Sequence, residues 1–224
     1  MALSRPTYNN RSIDQFRSKL IGGGARPNLF EVQLDWPTGV RGITNFQLNE
    51  ASDETYKFMI KAAALPASNV SVINVPFRGR NLKISGDRSF DPWTITVLND
   101  TDFKLRNSFE LWMNYVNRHQ DNAGVVTPVA YQTDLYVTQL GRGIIAKDAS
   151  TSTSAPGTNE AIPVYKSYKL HGAFPTNVSE IALSYDTENA IEEFTVTFEY
   201  QWWDTVKGDG TNLDADSLLG AGSF

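Results

Sequence analysis

Near its C-terminal end the chain alternates strictly between apolar and polar residues, and this alternation constrains the fold more than any other feature. The apolar positions are Phe194, Val196, Phe198, Tyr200 and Trp202. The polar positions between them are Glu193, Thr195, Thr197, Glu199 and Gln201. Because successive side chains of a β-strand point to opposite faces, this period of two predicts a strand with one buried face and one face in water.

Shorter alternating or β-branched runs recur along the chain and predict a mainly β protein. With the run above, the predicted strands are residues 30–36, 56–62, 70–75, 82–85, 93–98, 131–140, 164–170, 181–185 and 194–202. The fourth and fifth of these are expected to meet in a hairpin or corner, because Gly86 can adopt a positive φ and Asp91-Pro92 prevents a helix. Residues 174–177, Phe-Pro-Thr-Asn, are expected to form a turn.

One segment repeats its apolar residues with the spacing of a helix. These residues are Leu105, Phe109, Trp112, Met113 and Val116. Residues that favour helix N-caps precede them at 99–102, and Arg118 and His119 follow, where cations suit the negative end of the helix dipole. The sequence therefore predicts one helix of about three turns across one face or end of the sheet.

About nine strands and one helix predict an antiparallel β-sandwich or a partly open β-barrel. We expect a single β domain at residues 27–203, with a flexible insertion at about 141–163. Residues 1–26 are expected to form a basic arm of net charge +4, and residues 204–224 an acidic tail of −3, in a chain of −5. An open sheet leaves edge strands, which can pair with those of neighbouring copies in a closed ring.

The chain lacks the residue patterns of most known catalytic and metal sites. It has no cysteine and two histidines, so disulfides and thiolate sites are excluded and no metal site is expected. No nucleotide-binding loop, nucleophile elbow or zinc-protease motif is present. The acids Asp186, Glu188, Glu192 and Glu193 are interpreted as ordinary turn carboxylates rather than a catalytic pair.

We therefore predict that the protein is not an enzyme and uses no cofactor. The sequence shows neither an apolar run long enough to span a bilayer nor the apolar core of a signal peptide. The protein is expected to be soluble, without a membrane anchor, and made in the cytoplasm.

A resemblance to a known family is densest around residues 86–100. Gly86-Asp87-Arg88-x-Phe90-x-x-Trp93, followed by Thr-Ile-Thr-Val-x-Asn99-Asp100, resembles the tail tube proteins of contractile-tailed (myovirus-type) bacteriophages. Further matches follow the family's order at residues 25–32 (Ala-Arg-Pro-Asn-Leu-Phe-x-Val), 64–66 (Ala-Leu-Pro) and 172–181 (Gly-x-Phe-Pro-Thr-Asn-Val-x-Glu-Ile), the last leading into Phe194-x-Val196. Together the matches cover most of residues 25–203.

The resemblance implies a virion structural protein of the phage tail. Such subunits form hexameric rings, stacked helically into a hollow tube inside a contractile sheath, which conducts the tape-measure protein and DNA during ejection. The implied partners are other copies of the chain and the sheath, baseplate or tube-initiator, tape-measure and tail terminator proteins, while DNA passes without specific binding. Assembly in the host cytoplasm is implied, and no cofactor.

Three alternatives stay open at this point. A tube subunit of a related contractile injection or secretion system would share the fold, and a baseplate protein that starts the tube would share much of it. The five tryptophans are also compatible with a β-sandwich carbohydrate-binding module.

Two groups of residues are candidates for sites within an assembly. Asp87, Arg88, Phe90 and Trp93 are the candidate subunit interface, because the resemblance is densest there; the alternative is a surface turn with a local ion pair. Glu193, Thr195, Thr197, Glu199 and Gln201 are the candidate lumen-facing residues, Glu199 first among them; the alternative is a face in bulk solvent. Residues 148–161 and 204–224 cannot form a packed core, and we expect them outside the tube or at ring junctions.

Overall fold

An antiparallel sheet of seven strands forms the centre of the computed structural model. The structure describes residues 13–20, 24–44, 46, 48, 54–142, 145–146, 160–161, 164–186, 188 and 190–206. The strands of the described chain, of which seven form the central sheet, are β1 (Phe30–Leu34), β2 (Ile60–Ala63), β3 (Asn69–Phe77), β4 (Arg80–Ser89), β5 (Trp93–Leu98), β6 (Thr133–Leu140), β7 (Ile145–Ala146), β8 (Glu160–Ala161), β9 (Val164–Val178), β10 (Glu193–Glu199) and β11 (Trp202–Val206). Its helices are α1 (Ile13–Lys19), α2 (Thr38–Arg41), α3 (Glu54–Met59), α4 (Lys104–Val116) and α5 (Pro128–Tyr131).

The long strand β9 joins the two halves of the sheet. The strand order is β1-β6-β9-β10-β5-β2, and β11 pairs with β9 as well. The first part of β9 lies between β6 and β11, and its last part pairs with β10. The sheet is not closed into a barrel, so β1, β2 and β11 are edge strands of the described sheet. The predicted fold class, a mainly β antiparallel sandwich or partly open barrel, is confirmed, since the sheet is antiparallel and not closed into a barrel.

Strand β9 continues where the sequence predicted a turn. Residues 174–177 lie opposite β10, and the register becomes irregular where Pro175 faces Phe198. Proline lacks an amide donor, and an irregular register accommodates that loss inside a strand. Gly172, just before this point, has a φ of +61°, which favours glycine. The chain therefore passes from one half of the sheet to the other along one strand.

Aromatic side chains fill the core between the sheet and α4. Trp36, Phe109, Trp112 and Phe198 are buried, and their contacting rings have centroids 5.1, 5.4, 6.0 and 6.1 Å apart. The predicted helix is confirmed as α4, with Leu105, Phe109 and Trp112 buried on one face. The N-cap position is occupied by Phe103, which makes no side-chain cap, and the Asp100 carboxylate instead accepts a 3.2 Å hydrogen bond from the first helical amide, that of Lys104.

The strongest predicted strand is divided in two. Phe194, Val196, Phe198 and Tyr200 are buried as predicted. The strand pairing ends at Glu199, and β11 then pairs with the other half of the sheet, where Trp202 is 48% exposed. Residues 204–206, assigned from the sequence to the acidic tail, belong to β11.

The structure differs from the predicted strands at other places as well. Residues 56–59 are helical, so that only the end of the predicted strand forms β2. Residues 181–185 contain no strand. Strand β4 pairs with β3 rather than β5, so the corner expected at Gly86 lies within a strand. Most of the basic N-terminal segment, the insertion and the acidic tail lies outside the described residues, at positions 1–12, 147–159 and 207–224. The expectations for these segments stay predictions.

The buried indole of Trp112 tests the packing of the core. Its N–H donates a 2.8 Å hydrogen bond to the Tyr131 carbonyl, and the side chain is fully buried. Trp112→Phe should lower the free energy of unfolding by about 2 to 4 kcal/mol, because it leaves a cavity and an unpaired carbonyl. His119→Ala, at an exposed position beyond α4, should change it by less than about 0.5 kcal/mol. Urea denaturation of both variants measures this, and equal effects would contradict the packing described.

Candidate assembly surfaces

Strands β3 and β4 form a hairpin, here called the hairpin arm or simply the arm (residues 69–89), which joins no larger sheet among the described residues. Its turn consists of Arg78 and Gly79, whose φ angles of 45° and 81° are typical of a type I′ turn. All residues of the arm are exposed except Gly86, which is half-buried. At about 3.3 Å per residue, its strands extend for roughly 30 Å. The arm therefore presents a long surface that the described part of its own subunit leaves uncovered.

One face of the arm is apolar. Residues directly opposite each other in an antiparallel pair share a face. The opposed pairs on this face are Ile73–Ile84, Val75–Leu82 and Phe77–Arg80. Its apolar side chains are between 40% and 65% exposed. Contiguous exposed apolar surface is characteristic of interaction sites, so this face is a candidate assembly surface.

The arm is also basic. Arg78, Arg80, Lys83 and Arg88 outweigh Asp87 and give it a net charge of +3, in a chain of −5. None of the four cations forms a salt bridge within the part of the chain that the structure describes. The arm thus combines apolar side chains with unneutralised positive charge, and it suits a partner surface that is both apolar and acidic.

Hydrogen bonds fix the base of the arm to the sheet. The indole N–H of Trp93 donates to the Ala64 carbonyl at 2.6 Å, and that of Trp203 donates to the Ala67 carbonyl at 2.9 Å. On the other strand, the Phe90 ring packs 5.8 Å from that of Tyr200. Both ends of the hairpin are therefore held by side chains from the body of the subunit.

The candidate interface residues divide between the arm and the core. Asp87 and Arg88 lie on β4, are exposed, and form no ion pair with each other. Phe90 is half-buried at the base of the arm, whereas Trp93 is 2% exposed. Trp93 therefore acts inside the subunit, where it anchors the arm. Close packing rather than a positive φ favours glycine at position 86, since a Cβ there would lie 2.4 Å from Ser71 Oγ and 3.2 Å from the Ser71 carbonyl oxygen.

The candidate lumen residues share the outer face of β10. Thr195, Thr197 and Glu199 alternate with buried residues, as the sequence predicts. Thr197 and Thr94 of β5 form a hydroxyl–hydroxyl hydrogen bond of 3.1 Å, and Glu193 forms an ion pair with Lys61 of β2. Gln201 lies beyond the strand and is exposed. Strands β10, β5 and β2 thus present a continuous polar surface.

Burial raises the pKa of Tyr200 beside this surface, and the nearby charges of Asp91 and Glu199 raise it further. Its hydroxyl has no hydrogen-bond partner among the described residues. The phenol is therefore neutral at physiological pH, and the charge of this region comes from carboxylates.

A charged cluster ties β11 to the sheet across β6 and β9. His171 lies between Asp134 and Asp204, with nitrogen–oxygen distances of 3.6 and 3.3 Å, and stacks on Trp202 at a centroid distance of 3.8 Å. Burial raises the pKa of Asp134, but hydrogen bonds from Lys169 and the Gly172 amide outweigh it, and the net shift is downward. Burial opposes the charge of Lys169, yet its pKa is raised overall by Asp134. The cluster holds an edge strand in place.

The described residues contain no group of histidines and carboxylates placed to hold a metal ion. Among the same residues, no helix is long and apolar enough to cross a membrane.

Known proteins resemble this chain over most of its length. The profile of the phage tail tube protein family matches residues 25–206. Tail tube protein gp19 of Enterobacteria phage T4 is 32% identical over 191 residues, which cover 85% of this chain and 98% of that protein. The tail tube protein of Serratia phage KSP90 is 25% identical, covering 84% of this chain and 94% of that protein. Among solved structures, a chain of the anti-feeding prophage baseplate shares the fold, with a TM-score of 0.51, 13% identity and coverage of 82% and 95%.

The exposed guanidinium of Arg88 separates assembly from stability. Arg88→Ala should change the free energy of unfolding by less than about 0.5 kcal/mol, since the side chain has no ion pair in the described structure. It should nevertheless weaken self-assembly, measured by light scattering. Arg118→Ala, a control that removes a side chain 62% exposed and distant from the arm in sequence, should assemble normally. Normal assembly by a stably folded Arg88→Ala protein would return this position to an ordinary surface role.

Proposed function

This chain belongs to the phage tail tube protein family, and we propose that it forms hexameric rings that stack helically into a hollow tube inside a contractile sheath. It is a structural component of the virion tail, and its proposed role is mechanical rather than enzymatic. The tube guides the tape-measure protein during assembly and DNA during ejection.

The uncovered arm is the observation that carries this proposal. The exposed apolar face of the arm, from Ile73 to Phe77 on one strand and Arg80 to Ile84 on the other, is unfavourable in a soluble monomer, and contact with another copy removes it from water. The edge strands β1, β2 and β11 supply a second unsatisfied surface, because edge backbone groups can pair with those of a neighbour. Pairing of edge strands between neighbouring copies closes a ring. The arms provide a second, separate contact between copies.

The outer face of β10, β5 and β2 is our candidate for the wall of the bore. It carries hydroxyls and carboxylates with one lysine, Lys61, which is paired with Glu193. DNA has about one negative charge per ~1.7 Å of its axis, and a basic wall would bind it by releasing counterions. A polar wall without free cations lets hydrated DNA slide.

The proposed partners follow from this position in the tail. The outside of the tube contacts the sheath, one end contacts a baseplate or tube initiator, and the other contacts a tail terminator. The tape-measure protein occupies the bore before DNA does, and assembly takes place in the host cytoplasm.

The other candidate functions receive less support. Related tubes of contractile injection systems share this fold, but the curated relatives above are phage proteins. A carbohydrate-binding module needs exposed aromatic rings, whereas Trp36, Trp93 and Trp112 are at most 3% exposed. Trp202 is stacked on His171. Trp36 and Trp112 thus serve the core, and Trp93 and Trp203 hold the arm.

Assembly of the purified protein tests the proposal directly. Negative-stain electron microscopy should show rings or tubes, at high protein concentration or after addition of a baseplate-like initiator. The expected cause is pairing of sheet edges together with burial of the arm. A strictly monomeric species by light scattering, at concentrations approaching millimolar and with the initiator present, would exclude a tube subunit.

The lumen assignment is tested separately with Glu199→Lys. The change should leave tube assembly intact and slow DNA ejection, most strongly at low ionic strength, where the attraction of lysine for phosphate is poorly screened. Glu110→Lys makes the same charge change on α4 and should not affect ejection. Ejection kinetics of assembled particles at two salt concentrations measure the effect. Identical kinetics for both variants would contradict the assignment of Glu199 to the wall of the bore, while the proposed tube would still stand.

A further inference from the structure

The loop between β9 and β10 has a surface whose charge is complementary to that of the arm. Residues 180–192, here called the acidic loop, contain Glu180, Asp186, Glu188 and Glu192, and no lysine or arginine. The loop also exposes large apolar side chains: Leu183 is 79% exposed, Ile191 is 68% exposed, and Tyr185 is fully exposed. Asp186 and Glu188 make no salt bridge within the described part of the chain. The loop is therefore acidic and apolar, whereas the arm is basic and apolar.

The arm and the acidic loop leave the sheet at opposite ends. Strand β5 pairs with β10 so that Trp93 lies opposite Phe198 and Leu98 lies opposite Glu193. The arm leads into β5 at the Trp93 end, where Trp93 and Trp203 hold its base. The acidic loop leads into Glu193 at the other end, where the Asn99 amide bonds to the Glu192 carbonyl at 2.9 Å. Since the arm is exposed along its length, it does not fold back over its own subunit to cover this loop.

We propose that the arm of one copy docks on the acidic loop of a copy in the adjacent ring. This inference rests on the proposed tube function and identifies the two surfaces that join its rings. The apolar tip around Phe77 packs against Leu183 and Tyr185, and the arm's cations face Asp186 and Glu188. Each copy uses its arm at one end and its acidic loop at the other.

Two physical properties favour this pairing over others. The net charges are opposite, +3 for the arm and −4 for the loop, so encounter is favoured and arm-to-arm contact is repelled. The two surfaces also lie at opposite ends of one subunit. Such a heterologous contact repeats without closing and produces a stack of indefinite length.

A charge-reversal experiment tests the pairing. Arg80→Glu with Lys83→Glu on the arm should raise the protein concentration needed for tube formation about tenfold or more, and so should Asp186→Lys with Glu188→Lys on the loop. The protein carrying all four changes should form tubes within about threefold of the original concentration, because the signs again match. Glu110→Lys with Asp121→Lys is the control and reverses two acids on α4 and the segment after it. Turbidity and electron microscopy provide the readout, and circular dichroism verifies folding.

A cross-linking experiment does not depend on the charge variants. The chain has no cysteine, so Phe77→Cys with Tyr185→Cys introduces two thiols and no others. A bismaleimide spanning about 10 Å should join assembled copies into a ladder of covalent oligomers on a denaturing gel. Each single variant should give dimers at most, and so should Phe77→Cys with Val126→Cys, which places the second thiol at an exposed site outside the loop.

The outcomes separate this inference from the proposed function. Restoration by the fourfold reversal, together with the ladder, supports docking of the arm on the acidic loop. Tubes from the unmodified chain, with no restoration and no ladder, would overturn the docking while the tube function stands. Failure of the unmodified chain to form rings or tubes under any condition would overturn both.

Discussion

A two-stranded hairpin cannot bury its own apolar face, and the other features of this subunit follow from that constraint. Two strands make a single layer, and apolar side chains on a layer need a second one to cover them. In the body of the protein, α4 and the two halves of the sheet cover each other's apolar faces. Nothing in the described subunit does this for the arm, so side chains such as Phe77 and Leu82 stay in water. Their burial requires another molecule.

The core and the arm are mechanically connected through tryptophan. The Trp93 ring packs 5.7 Å from Phe198 in the core, and its N–H bonds to the chain just before the arm. Trp203 makes the equivalent bond from β11. An arm held in this way has less conformational entropy to lose on docking than a loosely hinged one. In the proposed tube, these contacts couple a displacement of the arm to the sheet.

The sequence predicts burial well where one surface covers an alternating strand, and it fails where none does. Alternation at Phe194 to Tyr200 and helical spacing at Leu105 to Trp112 both correspond to buried faces. Ile73, Val75 and Leu183 follow the same period, yet they are exposed, because the period records which side chains share a face and not whether that face is covered. The same period predicts a strand at residues 181–185 of the acidic loop, where the structure has none, and sheet strands within the arm, which is a separate hairpin. The resemblance points to the end of β4 and the start of β5 but assigns Trp93 to the candidate subunit interface. A sequence motif does not distinguish a buried residue that anchors the arm from an exposed residue that contacts another subunit.

A tube needs two kinds of contact, and the subunit has two kinds of incomplete surface. Edge strands interact through backbone hydrogen bonds, which do not depend on side-chain charge. Once a ring closes, no unpaired edge is left to extend this contact. The arm and the acidic loop interact through apolar side chains and opposite charges, at opposite ends of β5 and β10, and that contact has no closed form. Salt screens the second contact and has little effect on the first. Ring closure and ring stacking in the proposed tube therefore rest on different physics, so each can be weakened without the other.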